Sequence, residues 1–380
     1  MRHYLLRSAL LDKDMMSNFA TLTRDAPGQA STAMSGAPKR ARADDKAMLK
    51  AAADLTRDLN VANPAIYWTD LIASALIGYG ALATEMITGS TALTVAAILV
   101  AILALYRAGS FIHELTHLKP NAVPGFSLAW NLAVGIPLLV PSFLYEGVHN
   151  MHHGKTRYGT ADDPEYLPLA LMKPWTLPVF IVTAALAPIA LLLRFAVLTP
   201  LSMVWPRLRK LVVERYSGLQ INPSFRRPAP TADFARQWAW KEALTSAWAI
   251  AVIAAVATGF VPVRAFLIFI GVASGVMLLN QVRTLVAHLW ENDGEPMSVT
   301  DQYLDSVNVP PPATLPALWA PVGLRYHALH HLLPGLPYHA LAEAHRRLTG
   351  ALEEGSIYHH ASHRGLAPLV SRLAASSWRS

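Results

Sequence analysis

The chain has no cysteine at all. That excludes disulfides, thiolate-ligated iron–sulfur clusters and a built-in rubredoxin-like module, so electrons for any redox chemistry have to come from a separate protein. Charge is scarce as well. Only 15% of the 380 residues are Asp, Glu, Lys or Arg against 53% hydrophobic, and the mean hydropathy is +0.30. This is too apolar for an ordinary soluble domain and points to a membrane protein. The net charge of +7 lies in polar stretches flanking apolar spans. No basic motif with interleaved aromatics accompanies it, so no nucleic-acid partner is expected. The amino-terminal stretch lacks the apolar core and small-residue cleavage site of a signal peptide. A carboxylate-bridged di-iron bundle would combine paired ExxH motifs with further glutamates, whereas the pattern repeated along this chain is one of histidines.

Histidine is what the chain has instead. Of fifteen, eight fall in three boxes: His113-Glu114-Leu115-Thr116-His117, His149-Asn150-Met151-His152-His153 and His327-Ala328-Leu329-His330-His331. Residues three and four apart share a helix face, so each box can point its imidazoles one way. Adjacent histidines such as His152 and His153 are splayed by about 100° on a helix, which lets one box serve two neighbouring ions. A structural zinc takes four ligands and a catalytic zinc three plus water. Eight imidazoles argue for a dinuclear centre, and imidazole suits iron.

Residues 1–60 are polar and mixed in charge and read as a disordered or loosely helical cytoplasmic tail. Residues 61–355 form the membrane domain, and 356–380 a second tail. Apolar stretches at 66–87 and 92–106 make a helical hairpin, with Arg107 marking its exit; 243–260 and 262–279 make another. Ten Lys and Arg residues precede the first span and none lies in its turn, which puts the amino terminus and box one in the cytoplasm. If all boxes share one centre, the apolar stretches between them cannot be complete crossings. Those are 126–145, with Pro137 and Pro141, and 175–198, with Pro178, Pro188 and Arg194. The Arg- and Lys-rich loop 205–242 belongs inside. The expected fold is therefore all-α and integral to the membrane, with four transmembrane helices in two hairpins, interfacial helices and a cytoplasmic histidine-rich cap. An amphipathic helix at 338–352 covers the site.

Three boxes of the form HxxxH, HxxHH and HxxHH, with paired spans before the first and the third, resemble the membrane fatty acid desaturase family over roughly residues 60–350. The segment from Arg325 to His339 is especially similar to the family's third box and the turn after it. The resemblance implies two iron ions (Fe2+/Fe3+), dioxygen as cosubstrate, an acyl-chain or lipid substrate and an external electron donor, a ferredoxin or a b-type cytochrome. It assigns as metal ligands His113, His117, His149, His152, His153, His327, His330 and His331, and adds His288, because some members place a histidine after the last span. Acyl-CoA desaturases carry Asn four residues before that histidine, where this chain has Thr284, so one coordination position differs. Box one has three residues between its histidines, not the four of acyl-CoA desaturases. Lipid-linked acyl chains and sphingolipid-like substrates thus stand level with acyl-CoA. The expected setting is a bacterial inner membrane with the boxes on its cytoplasmic side.

The segment at box three favours a desaturase that introduces a C=C bond, with a hydroxylase or ketolase of the same superfamily as the alternative. Box one is also a literal HExxH, the zinc-protease motif, but that reading leaves two boxes without a purpose. Glu114, Glu146, Asp162, Asp163, Glu165, Glu291 and Asp293 are candidates to orient the second imidazole nitrogens. His339 and His345 read as capping or supporting residues, His3, His359, His360 and His363 as solvated, and Tyr67, Trp68 and Trp240 as interfacial anchors.

Overall fold

A computed structural model describes residues 42–379, and among them it holds helices and isolated β-bridges but no strand. Helix α1 (Lys46–Leu55) lies ahead of the first apolar hairpin, α2 (Pro64–Ile87) and α3 (Thr91–His117). The side chains of Asn63 and Ser90 cap the two membrane helices. With 24 and 27 residues, each is long enough for a hydrocarbon core of about 30 Å. Helix α3 does not stop at Arg107, where the hairpin is expected to leave the membrane. Arg107 pairs with Asp70 of α2 at 2.5 Å, and the helix continues to deliver box one.

Between the hairpins, α4 (Phe126–Gly135) ends just before Pro137 and Pro141, and α5 (Val148–His152) carries box two. Then come α6 (Thr176–Ala185), α7 (Ala187–Val204) and α8 (Pro206–Tyr216). The second hairpin is α9 (Ala232–Ala257) and α10 (Val263–Leu285), joined through Gly259, whose φ of +78° disfavours any side chain. The helices approach closely where glycine allows it. A Cβ on Gly275 of α10 would sit 2.4 Å from Ile102 of α3, and one on Gly78 of α2 would sit 2.7 Å from Leu105.

Five described helices are long and apolar enough to cross a bilayer, where the sequence predicts four; α7 is the additional one. Its neighbours are informative. Gln281 of α10 donates to the Phe180 carbonyl at 2.9 Å, and Ser274 to that of Ala185 at 2.8 Å. As α6 advances, its register on α10 recedes, so it descends from the box end to about 16 Å along α10 at 1.5 Å per residue. By Arg194 the chain is again beside the segments that flank box two. Arg194 bonds the Tyr216 carbonyl, Ser217 and Glu242, and the Leu219 N–H bonds the Leu144 carbonyl.

Beyond α10 lies the cap, with α11 (Val299–Asp305), α12 (His327–Leu332) bearing box three, α13 (Leu341–Ala351) and α14 (Leu366–Ser377). Isolated bridges tie Ser306 to His288 and Asn308 to Tyr326, which fixes box three against the end of α10. Helix α13 is the predicted amphipathic helix, with Leu341, Ala344 and Leu348 buried. Two further helices lie where the sequence suggests only tails. Residues 1–41 of the first lie outside the described ones, but α1 packs Met48 and Ala52 into the same apolar cluster as α13. At the other end, α14 packs Leu373 with Tyr166 and Trp290.

Candidate metal centre

All nine predicted histidines meet, and they divide into two groups. Ring nitrogens of His113, His117, His149, His153 and His330 lie within 4.8 Å of one another, and those of His152, His288, His327 and His331 do the same. His113 and His117 end α3, and His288 follows α10 by three residues, so the two parallel helix ends bring first-hairpin and second-hairpin ligands to one level. Adjacent histidines part company: His152 and His153 join different groups, as do His330 and His331. That is the splay expected of neighbours on a helix.

Hydrogen bonds on the far side of the rings set which nitrogen faces inward. Nδ1 of His152 lies 2.9 Å from Asp163, which is fully buried and also accepts from the backbone N–H groups of Gly159 and Glu165. Nδ1 of His149 lies 3.1 Å from Glu165 and 2.8 Å from the Tyr145 hydroxyl. For His288 the partner is the Tyr158 hydroxyl at 2.8 Å, which itself donates to Asp305. A carboxylate against Nδ1 holds the ring hydrogen there, leaving Nε2 as a bare lone pair. Those lone pairs converge. The Nε2 atoms of His149 and His153 are 3.0 Å apart, those of His153 and His330 3.1 Å, and those of His288 and His327 3.1 Å.

Such a centre suits metal ions. Both ring nitrogens of His113, Nε2 of His117 and Nδ1 of His330 are buried with no hydrogen-bond partner among the described residues. Each costs roughly 1–3 kcal/mol if left so, and an ion at the focus of each group relieves the inward-facing ones. Burial holds His149, His153, His288, His327, His330 and His331 well below the ordinary histidine pKa, and mutual repulsion adds to it. They are neutral, the form that binds metal. Burial also lowers His152, but the Asp163 carboxylate outweighs it and the net direction is upward. Burial raises Glu165 to about 7 and Asp305 to about 6.

A cavity of about 370 Å³ opens against both groups. Its wall combines apolar Phe180, Met277 and Trp290 with polar Gln220, Asn280 and Arg283.

Several predicted residues do other work. Glu114 accepts from the Tyr67 hydroxyl at 2.5 Å and from the Tyr338 N–H at 3.2 Å, so it is committed to the helix core and unsuited to activating water as a protease glutamate. Tyr67 is accordingly fully buried and not an interfacial anchor. Glu146 pairs with Lys241, and Glu291 with Arg372. His339 accepts from the Asn63 N–H at the start of α2, and His345 meets the Tyr358 hydroxyl. His363 is half-buried, and His3 lies outside the described residues. Sequence reading missed Asp305, Tyr145, Tyr158 and Arg283. Tyr145 lies only four residues before His149, but nothing in the spacing marks it as a partner; Tyr158, Asp305 and Arg283 meet their partners across 130, 147 and 44 residues.

A helical membrane protein with two foci of histidine alone that could hold metal ions fits a class of oxidoreductase, and the chain belongs to it: residues 89–363 match the family described as fatty acid desaturase, a family of di-iron enzymes. Within that family it is 50% identical over 331 residues to a protein named ceramide hydroxylase from Caulobacter vibrioides (strain NA1000 / CB15N), covering 87% of this chain and 94% of the relative. No solved structure matches the chain. The weight that the sequence reading gave to desaturation over oxygen insertion is not upheld, since that relative is a hydroxylase.

Proposed function

We propose that the protein is an O2-dependent di-iron hydroxylase acting on a ceramide-class lipid. One observation carries this reading: half the residues are shared with a ceramide hydroxylase over nearly its whole length. The mixed wall of the cavity supports it, because an apolar chain with a polar head needs both kinds of lining.

His113, His117, His149, His153 and His330 would hold one iron and His152, His288, His327 and His331 the other. Iron there supplies dioxygen activation strong enough to break an unactivated C–H bond, which side-chain acid–base chemistry does not reach. The chain's own residues do the rest. Asp163 and Glu165 keep the Nδ1 hydrogens in place, so that Nε2 of His152 and His149 face inward. Tyr158 relays the same support from Asp305 to His288. The walls from α3, α6 and α10 hold the lipid and exclude water. With no cysteine for a cluster of its own, the protein takes electrons from a separate ferredoxin or b-type cytochrome.

The registers of α6 and α7 support four crossings, with this pair entering and leaving on the box side. The arginines and lysines of loop 205–242 favour the cytoplasm for that side, and a bacterial relative supports an inner membrane as the setting. The test is a reconstituted reaction: iron-loaded protein, a reduced ferredoxin, dihydroceramide and isotopically labelled dioxygen. The expected product carries one labelled oxygen atom. A product that has lost two hydrogens and gained no label makes the enzyme a desaturase.

A further inference from the structure

Three of the ring nitrogens that face away from the foci have the acceptor a metal-bound imidazole needs. Nδ1 of His149 meets Glu165, that of His152 meets Asp163, and that of His288 meets the Tyr158 hydroxyl. His327 breaks the pattern. Its Nε2 lies 3.1 Å from that of His288 and 3.2 Å from that of His331, so Nε2 is the inward atom and Nδ1 has to carry the hydrogen once an ion is bound. Yet Nδ1 is met at 3.1 Å by Nη2 of Arg283. A guanidinium has five N–H donors and no acceptor. With an ion on Nε2, two donors face each other, and Arg283 needs an acceptor elsewhere.

The cavity is where that acceptor belongs. Arg283 is 8% exposed and lines the cavity, and its side chain has no hydrogen bond among the described residues except the one to His327. On the same wall, Oε1 of Gln220 is buried without a hydrogen-bond partner, an acceptor waiting for a donor. Apart from the histidines, the charged lining residues are one cation, Arg283, and one carboxylate, Glu165. This balance suits a neutral, strongly dipolar group and not an anion. An amide offers both halves: a carbonyl oxygen for Arg283 and an N–H for Gln220.

We propose that Arg283 is the substrate anchor: in the loaded enzyme it leaves His327 and donates to the carbonyl oxygen at the head of the lipid, the amide oxygen in a ceramide. Because the anchor adjoins a residue of the metal site, the oxidised carbon lies within a few bonds of that carbonyl. This deepens the ceramide-class reading and rests on it for the identity of the carbonyl.

The experiment compares binding of dihydroceramide and of an ether lipid of matched chain length without the amide, using iron-loaded full-length protein in detergent. The wild type is expected to favour dihydroceramide. Arg283→Met is expected to weaken dihydroceramide roughly tenfold or more, the scale of a hydrogen bond to a charged group, while ether-lipid binding and iron content stay as in the wild type. Arg283→Lys recovers part of the loss. If Arg283 merely orients His327, the Met variant loses iron, as variants of such supporting residues do, and lipid preference is unmoved; that overturns the anchor. Should the Met variant not fold, equal affinity of the wild type for the two lipids overturns it as well. Arg283-dependent binding of an acylglycerol ester, with none of dihydroceramide, keeps the anchor and sinks the ceramide reading.

Discussion

At the scale of the residue, the centre depends on partners one layer behind the ligands. Asp163 accepts from His152 and from two backbone N–H groups, so it fixes both a ring and the loop after box two. Asp163→Asn puts an amide where the ring hydrogen needs a carboxylate, and iron affinity is expected to fall roughly 10–100-fold, read by iron content after dialysis against a chelator. Retention of wild-type iron contradicts this role. The convergence of the histidines was legible in the sequence, because a helix that presents imidazoles on one face must place them three and four residues apart and that spacing survives in one dimension. Of their supports, Asp163 and Glu165 stood among the candidate carboxylates near the boxes, but Asp305 did not. Asp305 lies 3.9 Å from His288 and supports it through the Tyr158 hydroxyl, and the three lie on separate segments that meet only in the fold.

At the scale of the element, apolar length marks helices that enter the membrane but not those that cross it. Helix α7 passes every test of length and hydropathy, yet it contains a buried Arg194 bonded to Glu242 and to the loop beside box two. What made the same-side reading available was the shared centre, since the boxes flanking this segment have to meet. The absence of native cysteine permits a direct check. Single replacements Lys173→Cys and Arg207→Cys are expected to react with a membrane-impermeant maleimide from one face, and Thr258→Cys from the other. All three positions are exposed. Labelling of the first two from opposite faces would mean that α6 and α7 complete a crossing. Helices α1 and α14 escaped notice because each buries only two or three side chains, Met48 and Ala52 in one and Leu369, Leu373 and Ser377 in the other. So short an apolar stripe is indistinguishable from a tail until the surface that receives it is known.

At the scale of the whole molecule, the fold gathers imidazoles that water would readily protonate and holds them neutral. Unfolding returns His149, His153, His288, His327, His330 and His331 to a pKa near 6.5. Below that pH the unfolded chain binds more protons at these six, which destabilises the folded state at about 1.4 kcal/mol per pH unit for each proton. Glu165, Asp305 and His152, shifted upward, act in the opposite direction. Six against three leaves the sign clear: the melting temperature of the metal-free protein is expected to fall between about pH 7 and pH 5.5. A rise on acidification contradicts the burial that defines the centre. The most direct test of the account is metal stoichiometry, by elemental analysis of the purified protein and of a His288→Ala, His331→Ala double variant. Because the two histidine groups share no member, the account predicts two iron atoms per chain, falling to one in the variant. A single zinc, or loss of all metal from the variant, would contradict it.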